Sequence, residues 1–160
     1  RWNSTTGRED AVLGDALVAD PNAEKLHEVV SDRADLTRRL DHFLTESESI
    51  IPEASKALAC GDLERFGRMA DESQRAAEDL LGNQVPQTSA LARIARELGA
   101  TGATSFGAGF GGSVWALVPN AEAPEFASTW LGKYRDEYSE EAGQAVTVVT
   151  RPGPSARRLD

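Results

Sequence analysis

Before residue 100 the apolar residues recur every three or four positions, which is the spacing of an amphipathic helix. The longest such run predicts a helix over residues 36–58. Pro52 lies inside this run, where it removes one backbone hydrogen bond and predicts a kink near Glu48. Gly61 predicts the end of the helix, and Asp62 predicts the cap of the next one. The apolar stripe consists of Leu36, Leu40, Phe43, Leu44, Ile50, Ile51, Ala54 and Leu58.

Shorter helices are predicted before this run. Thr6 followed by Glu9 is a capping-box pattern, which predicts a first helix over residues 7–19. The pair Asp20-Pro21 predicts the cap and the first residue of a second helix that ends near residue 30.

Two more helices are predicted after the Asp62 cap. A loop over residues 82–85 separates them, and the second of them begins at Pro86 and ends at Gly99. The inner face of the first is predicted to consist of Leu63, Phe66, Met69, Ala70, Ala77, Leu80 and Leu81.

The spacing changes after residue 100, where β-branched and aromatic residues favour strands. Residues 102–106 and 113–118 predict two strands around a cluster of glycines, and residues 145–150 predict a third. A Pro-Gly-Pro turn at 152–154 predicts a short edge segment that ends at Leu159. This order of elements predicts an α+β fold, with a small antiparallel sheet and a helical layer. The helix between the second and third strands carries Phe126, Trp130, Tyr134 and Tyr138.

Composition narrows the classes of function. The chain has 160 residues, of which 40% are hydrophobic and 27% charged, so it suits one folded domain or one half of a larger enzyme. Its net charge of −9 would repel a phosphate backbone, which argues against nucleic acid as a partner. The single cysteine, Cys60, cannot form an internal disulfide. The sequence shows no secretory signal, and no apolar run is long enough to span a membrane. We therefore expect a cytoplasmic protein without a membrane partner.

The glycine-rich segment over residues 107–112 is the strongest candidate for chemistry. Its glycines lose backbone entropy on folding and add no packing, so something must approach this backbone closely. The uncovered N–H groups of such a loop can together bind one anion, as phosphate-binding loops do. The structural alternative is a hairpin at which helix and sheet backbones touch. The candidate residues are Gly107, Ala108, Gly109, Phe110, Gly111, Gly112 and Ser113.

Two phosphate-binding patterns match this segment only formally. The dinucleotide-binding pattern G-x-G-x-x-G requires a helix after the glycines, whereas here a strand is predicted to follow. The protein-kinase pattern G-x-G-x-x-G-x-V requires a lysine on the next strand and downstream H-R-D and D-F-G elements, which this sequence lacks. Neither of these two folds is therefore predicted.

Other combinations of potentially catalytic residues give only weak signals. His27 and His42 do not have the spacing of a zinc site. His42 and Glu46 lie one helical turn apart, as an ordinary solvated pair does, and Ser105 lacks the ordered Asp and His partners of a serine hydrolase. We therefore expect neither a zinc site nor a serine hydrolase, and no metal ligand is predicted.

The segment Thr101–Val118 resembles the third conserved motif of the GHMP small-molecule kinases, most closely in its galactokinase form. Residues 42–48 resemble the long helix of that family, residues 59–63 the turn after it, and residues 69–73 the helix that follows. The resemblance extends over about residues 36–151, while the chain before this range matches only loosely.

The resemblance implies that residues 1–160 are the ferredoxin-like C-terminal lobe of a two-lobed kinase. Such an enzyme uses ATP and Mg to phosphorylate the C1 hydroxyl of galactose or a related sugar. It further implies that the loop over residues 107–112 borders the phosphate and sugar pocket. The catalytic residues would lie upstream, in an N-terminal ATP-binding lobe that is the expected partner, and this chain alone would be inactive.

The chain departs from the family pattern at two positions. Phe106 stands where the family usually has a threonine, and Ser113 stands where it often has a cysteine. A hydroxyl contact is therefore lost at the first position, and the exact sugar stays open.

Two hypotheses outside the kinases also fit the pattern. One is a stand-alone ferredoxin-like module whose glycine turn binds a small anionic metabolite, and the other is a purely structural dimerisation domain. A separated kinase lobe should associate with itself or be unstable because its lobe interface exposes apolar surface, whereas a self-contained module should be monomeric.

Overall fold

The chain is helical before residue 100 and contains a β-hairpin after it. A computed structural model describes residues 1–153. None of the helices in this range is both long enough and apolar enough to cross a lipid bilayer. The α-helices are α1 (Trp2–Thr6), α2 (Leu13–Ala19), α3 (Glu24–Val30), α4 (Ala34–Leu44), α5 (Ile51–Cys60), α6 (Leu63–Ala76), α7 (Pro86–Glu97) and α8 (Ala123–Glu137). The strands are β1 (Gly102–Phe106) and β2 (Ser113–Leu117). Further helical segments are the π-helical Thr45–Ile50 and Ala77–Leu81 and the 3-10 turn Ala142–Gln144.

The two strands form an antiparallel hairpin in which Gly102 pairs with Leu117. Both predicted strands are confirmed, although β2 ends one residue earlier than expected. α6 packs on one face of the hairpin, where Phe66 stacks on Trp115 with ring centroids 6.1 Å apart. α7 and α8 cover the other face of the hairpin. The apolar cluster there includes Ala92, Ala95, Ala100, Ala103, Val114, Ala116 and Phe126. Helices therefore lie on both faces of the sheet, and the predicted α+β fold is confirmed.

α6 and β1 approach each other closely enough to require glycine. A Cβ atom on Gly67 would overlap the carbonyl oxygen of Thr101, and a Cβ atom on Gly102 would lie 3.1 Å from the Cα atom of Gly67. Gly67 is buried in the middle of α6, a position at which glycine is less favourable than alanine by about 0.5–1 kcal/mol. The close approach to the strand is the reason that this helical position is a glycine.

The long predicted helix is present as α4, a π-helical segment and α5 in succession. The π-helical segment surrounds Glu48, where Pro52 predicts a disturbance, and the N–H of Ile51 binds the carbonyl of Glu46 within it. Proline has no N–H to donate to the carbonyl four residues earlier, so the regular α-helical bonding cannot continue through this point. The distortion therefore takes the form of wider hydrogen-bonded turns.

The predicted boundaries of the next helices are confirmed. Gly61 ends α5 with φ 72°, and the carboxylate of Asp62 accepts a hydrogen bond from the backbone N–H of Arg65 at 3.0 Å. α7 begins at Pro86 as expected, and Gly99 follows its end with φ 92°. Local capping chemistry alone determines these ends.

The predicted first helix over residues 7–19 is wrong. Thr6 is the last residue of α1, and its hydroxyl donates to the carbonyl of Trp2 at 2.8 Å rather than capping a following helix. Gly7 then has φ 69°, and α2 begins only at Leu13. The indole N–H of Trp2 also donates to Asp10 at 2.6 Å, which stabilises a loop where the pattern favoured helix.

The predicted start of the second helix at Asp20-Pro21 is also wrong, because α3 begins at Glu24. The carboxylate of Asp20 still accepts a hydrogen bond from the backbone N–H of Leu26 at 2.8 Å. Asp20 therefore caps the first turn of α3 from across an intervening bend.

The predicted third strand over residues 145–150 is wrong, since the sheet of the described chain has two strands. Val146, in this segment, is 79% exposed. At the outer edge of β1, the backbone N–H of Ser105 donates to the side chain of Gln74 at 2.8 Å, so α6 occupies part of one of the two edges to which a third strand could pair. β-branched residues favour a strand only when an edge is free to pair. The edge segment predicted to end at Leu159 lies outside the described residues.

The N-terminal helices pack against α4 and are joined to it by an imidazole. His27 Nε2 lies 2.7 Å from Asp41 Oδ1, and its Nδ1 lies 2.8 Å from the carbonyl oxygen of Ala23. Both ring nitrogens thus face acceptors, and the hydrogen bond with Asp41, followed by that with Ala23, raises the pKa of His27 above 6.5. The apolar cluster beside this pair consists of Ala16, Ala23, Leu26 and Leu40.

Replacing Gly67 with alanine should destabilise the domain by about 1–3 kcal/mol, because the added Cβ must push α6 away from β1. Gly132→Ala in α8 is the matched control, since nothing lies within 4 Å of its Cβ position, and it should stabilise the domain by about 0.5–1 kcal/mol. Urea unfolding measures both changes. Equal effects of the two substitutions would show that the contact between α6 and β1 does not require glycine.

The pair His27–Asp41 should make the stability depend on pH. Because the folded state raises the pKa of His27, the stabilisation is complete below about pH 6.5 and is lost as the pH rises through the folded pKa. Both side chains are over one third exposed, at 38% and 39%, so Asp41→Asn should lower the free energy of unfolding by at most about 1 kcal/mol at pH 5.5 and by less at pH 8. Asp35→Asn, which removes an exposed partner of Arg33, is the control. A loss for Asp41→Asn that grows with pH would contradict the assignment.

Candidate functional site

The candidate loop over residues 107–112 joins β1 to β2 at the solvent-exposed tip of the hairpin. Phe110 is 74% exposed, and Gly107, Ala108 and Gly112 are exposed as well. The loop is therefore not covered by the helices of the domain, and a ligand can reach its backbone.

The backbone of this loop leaves most of its N–H groups available. All four glycines have positive φ, between 83° and 108°, and Phe110 has φ 59°. Among the described residues, only one N–H of the loop finds an acceptor, the N–H of Phe110 on the carbonyl of Asn83. Successive uncovered N–H groups form a partially positive concavity that can bind the oxygens of one anion.

Asn83 lies beside the tip of the loop, in the connection that leads to α7. Its side-chain Nδ2 donates to the carbonyl of Ala108 at 3.2 Å, and the residue is only 8% exposed. A Cβ atom on Gly109 would overlap the side-chain amide and the carbonyl of Asn83, so this loop position requires glycine for space as well as for its φ of 83°. The sequence pattern does not distinguish Asn83, because asparagine is common in loops.

Gln74 holds the strand that enters the loop. Its Oε1 accepts hydrogen bonds from the hydroxyl of Thr104 at 2.9 Å and from the backbone N–H of Ser105 at 2.8 Å. Its Nε2 donates to Glu78 at 2.8 Å. Gln74 was not among the residues predicted for the site. Its position one turn after Ala70, on the buried face of α6, is a signal that could have identified it, because a buried polar side chain is unusual.

Ser113 and Phe106 form the base of the loop. They pair across the hairpin as the first residue of β2 and the last residue of β1. Both residues are exposed, so the hydroxyl of Ser113 and the ring of Phe106 are accessible beside the glycines.

The other candidate side chains lie elsewhere. His42 Nε2 is 4.0 Å from Glu46 Oε1, and Glu46 accepts a hydrogen bond from the hydroxyl of Ser73 at 2.6 Å. His27 is engaged with Asp41 between α3 and α4. Within residues 1–153, no group of three or more His, Cys, Asp or Glu side chains is arranged to hold a metal ion.

A groove of about 540 Å³ lies between α6, α7 and the end of α8, and the loop does not line it. Two of its arginines are paired with carboxylates: Arg96 Nε lies 2.9 Å from Asp71 Oδ1, and Arg93 Nη2 lies 2.6 Å from Glu137 Oε2. Hydrogen bonds with Glu137 and Glu97 raise the pKa of Arg93. Carboxylates already neutralise these two arginines, which makes them weaker binding groups for an anion than unpaired cations would be.

Gln74→Leu should destabilise the domain by about 2 kcal/mol, because Thr104 and Ser105 lose the acceptor that they share. The backbone amide of Ser105 should also exchange its proton faster. Urea unfolding and hydrogen-exchange NMR measure the two effects. Gln144→Leu, at an exposed glutamine, is the control and should change the free energy of unfolding by less than about 0.5 kcal/mol. A Ser105 amide that stays equally protected would show that Gln74 does not hold this strand.

Comparison with known protein families identifies the family of this chain. The model of the family described as GHMP kinases C terminal matches residues 53–136. The match covers more than half of the chain, from α5 into α8, and includes the whole hairpin with its glycine loop. Because the match extends over more than half of the chain, this chain belongs to the GHMP kinase family, as its C-terminal domain.

Proposed function

We propose that this domain belongs to a galactokinase-like enzyme that transfers the γ-phosphoryl group of ATP to the C1 hydroxyl of galactose or a related sugar. The observation that carries the proposal is the set of available N–H groups in the exposed loop over residues 107–112. Membership of the GHMP kinases supports a kinase reaction. The resemblance of Thr101–Val118 to the galactokinase form of the third motif supports a sugar substrate.

The loop would stabilise negative charge during the transfer. As the sugar oxygen bonds to the γ-phosphorus, the bond from that phosphorus to the bridging oxygen of ADP breaks, and the hydroxyl proton passes to a base. Fixed N–H donors stabilise the charge on the phosphate oxygens without having to reorganise. The proposal assigns only this role to the loop, and it assigns the base to the N-terminal lobe.

The expected cofactors are ATP and Mg, and the described residues offer binding groups for the phosphates of ATP. The uncovered N–H groups of the loop fit phosphate oxygens. Mg²⁺ is usually held by one or two carboxylates together with the substrate phosphates and water, and no step through this ion is assigned to the residues described.

The proposed partner is the N-terminal lobe of the same protein. Phe106 and Phe110 stand beside the glycines and are 57% and 74% exposed. Aromatic side chains of this size are stabilised when a second surface removes them from water. They would form an apolar rim around the phosphate donors as the lobes meet.

Gly109→Ala in the intact protein should lower kcat/KM for sugar phosphorylation at least tenfold. Alanine resists a positive φ by about 1–2 kcal/mol, and its Cβ would displace the loop from Asn83. Gly107→Ala should cause a smaller loss, because it meets the same demand on φ but no atom lies within 4 Å of its Cβ. A coupled ADP-release assay with galactose and related sugars measures these effects.

Gly132→Ala in α8 provides the control for substitution of a glycine far from the loop, and circular dichroism checks that each variant is folded. Full activity of folded Gly109→Ala would contradict the proposed role of the loop. Binding of small phosphorylated metabolites without any phosphorylation of sugars would instead favour the binding-module hypothesis.

A further inference from the structure

Asn83 is hydrogen-bonded on three sides, and two of its bonds go to the glycine loop. Its Nδ2 donates to the carbonyl of Ala108 at 3.2 Å, and its own carbonyl accepts from the N–H of Phe110. Its Oδ1 accepts from the Nε2 of Gln84 at 2.9 Å. Asn83 itself is only 8% exposed, so water has little access to its side of these bonds.

The two bonds to the loop lie on either side of Gly109. A Cβ atom on that residue would overlap Asn83, so the backbone of the loop rests directly on the asparagine. The other N–H groups of the loop have no acceptor within the described chain. Asn83 therefore restrains the tip of the loop, and the other N–H groups of the loop stay available to an anion.

A loop of this composition needs such a restraint. Glycine has the largest backbone entropy of any residue, so a free loop would direct its N–H groups toward a common point only rarely. A ligand would then have to order the loop as it bound, which weakens binding. The bond from Asn83 to Ala108 removes part of that freedom before a ligand arrives.

The restraint is connected to a rigid element. The hydroxyl of Thr88 donates to the Oε1 of Gln84 at 2.9 Å, and Thr88 lies in the first turn of α7 with 2% exposure. A continuous series of side-chain hydrogen bonds thus runs from α7 through Gln84 to Asn83. Sites supported in this way keep their geometry better than isolated loops do.

We infer that Asn83 is a positioning residue, which holds residues 108–110 so that the available N–H groups of the loop meet the phosphates of the nucleotide. The inference rests on the proposed function, since it requires that the loop bind phosphate. Asn83 acts through the loop and does not itself contact the ligand, so its removal should disturb the orientation of the donors.

The test compares Asn83→Leu with Asn120→Leu in the intact protein. The first substitution removes the donor to Ala108 at similar side-chain volume, while Asn120 is exposed beyond β2, at the other end of the hairpin. Calorimetry measures the Kd for Mg·ATP, and steady-state kinetics measure the KM for ATP and kcat. Asn83→Leu should raise Kd and KM by roughly fivefold to tenfold, the effect of one lost hydrogen bond, and Asn120→Leu should leave both unchanged.

A merely structural role predicts a different result. It would reduce the folded fraction and therefore the apparent kcat, but the molecules that remain folded would keep their KM and Kd, and that result overturns the inference. If Asn83→Leu fails to fold, Gln84→Leu replaces it, because it removes the bond that orients the asparagine. Its Kd for Mg·ATP should rise about twofold to threefold, and an unchanged Kd overturns the inference.

Gly109→Ala separates this inference from the proposed function. Weaker Mg·ATP binding by Gly109→Ala together with normal binding by Asn83→Leu would leave the loop as a phosphate site and remove Asn83 from its positioning. Normal binding by both variants would overturn the proposed function and the inference with it.

Discussion

The contact between α6 and β1 determines where the other parts of this domain lie. Gly67 faces Thr101 and Gly102 at a separation that admits no side chain, so the helix lies directly against the strand. At this short distance, Gln74 on the same helix reaches the outer edge of β1 and binds Thr104 and Ser105. A helix farther away could not provide this acceptor, and the entrance to the glycine loop would lose its support.

The glycine loop is restrained on two sides and left open on a third. Gln74 holds the strand that leads into it, and Asn83 holds its tip through Ala108 and Phe110. Neither contact uses the N–H groups at the remaining loop positions, which stay available in the described chain. Rigid support combined with unused donors is the physical requirement for a preorganised anion site.

Sequence patterns predicted best those features that depend on nearby residues. Gly61 marks the C-terminus of α5, and Pro86 marks the N-terminus of α7. Both boundaries were predictable because capping by glycine and the fixed φ of proline act within one helical turn. The same kind of pattern failed at Thr6, whose hydroxyl bonds back to Trp2 inside the preceding turn. It also failed at residues 145–150, since β-branched residues form a strand only where a neighbouring strand pairs with them, and sequence spacing does not reveal such a partner.

The sequence by itself determined the α+β class, the hairpin and the position of the glycine loop. These features follow from residue spacing and from the φ values that only glycine adopts easily. The tertiary structure alone decided that Gln74 and Asn83 hold this loop. Gln74 lies 31 positions from Ser105, and Asn83 lies 25 positions from Ala108, so only the packing of α6 and of its connection to α7 against the hairpin brings each donor to its acceptor.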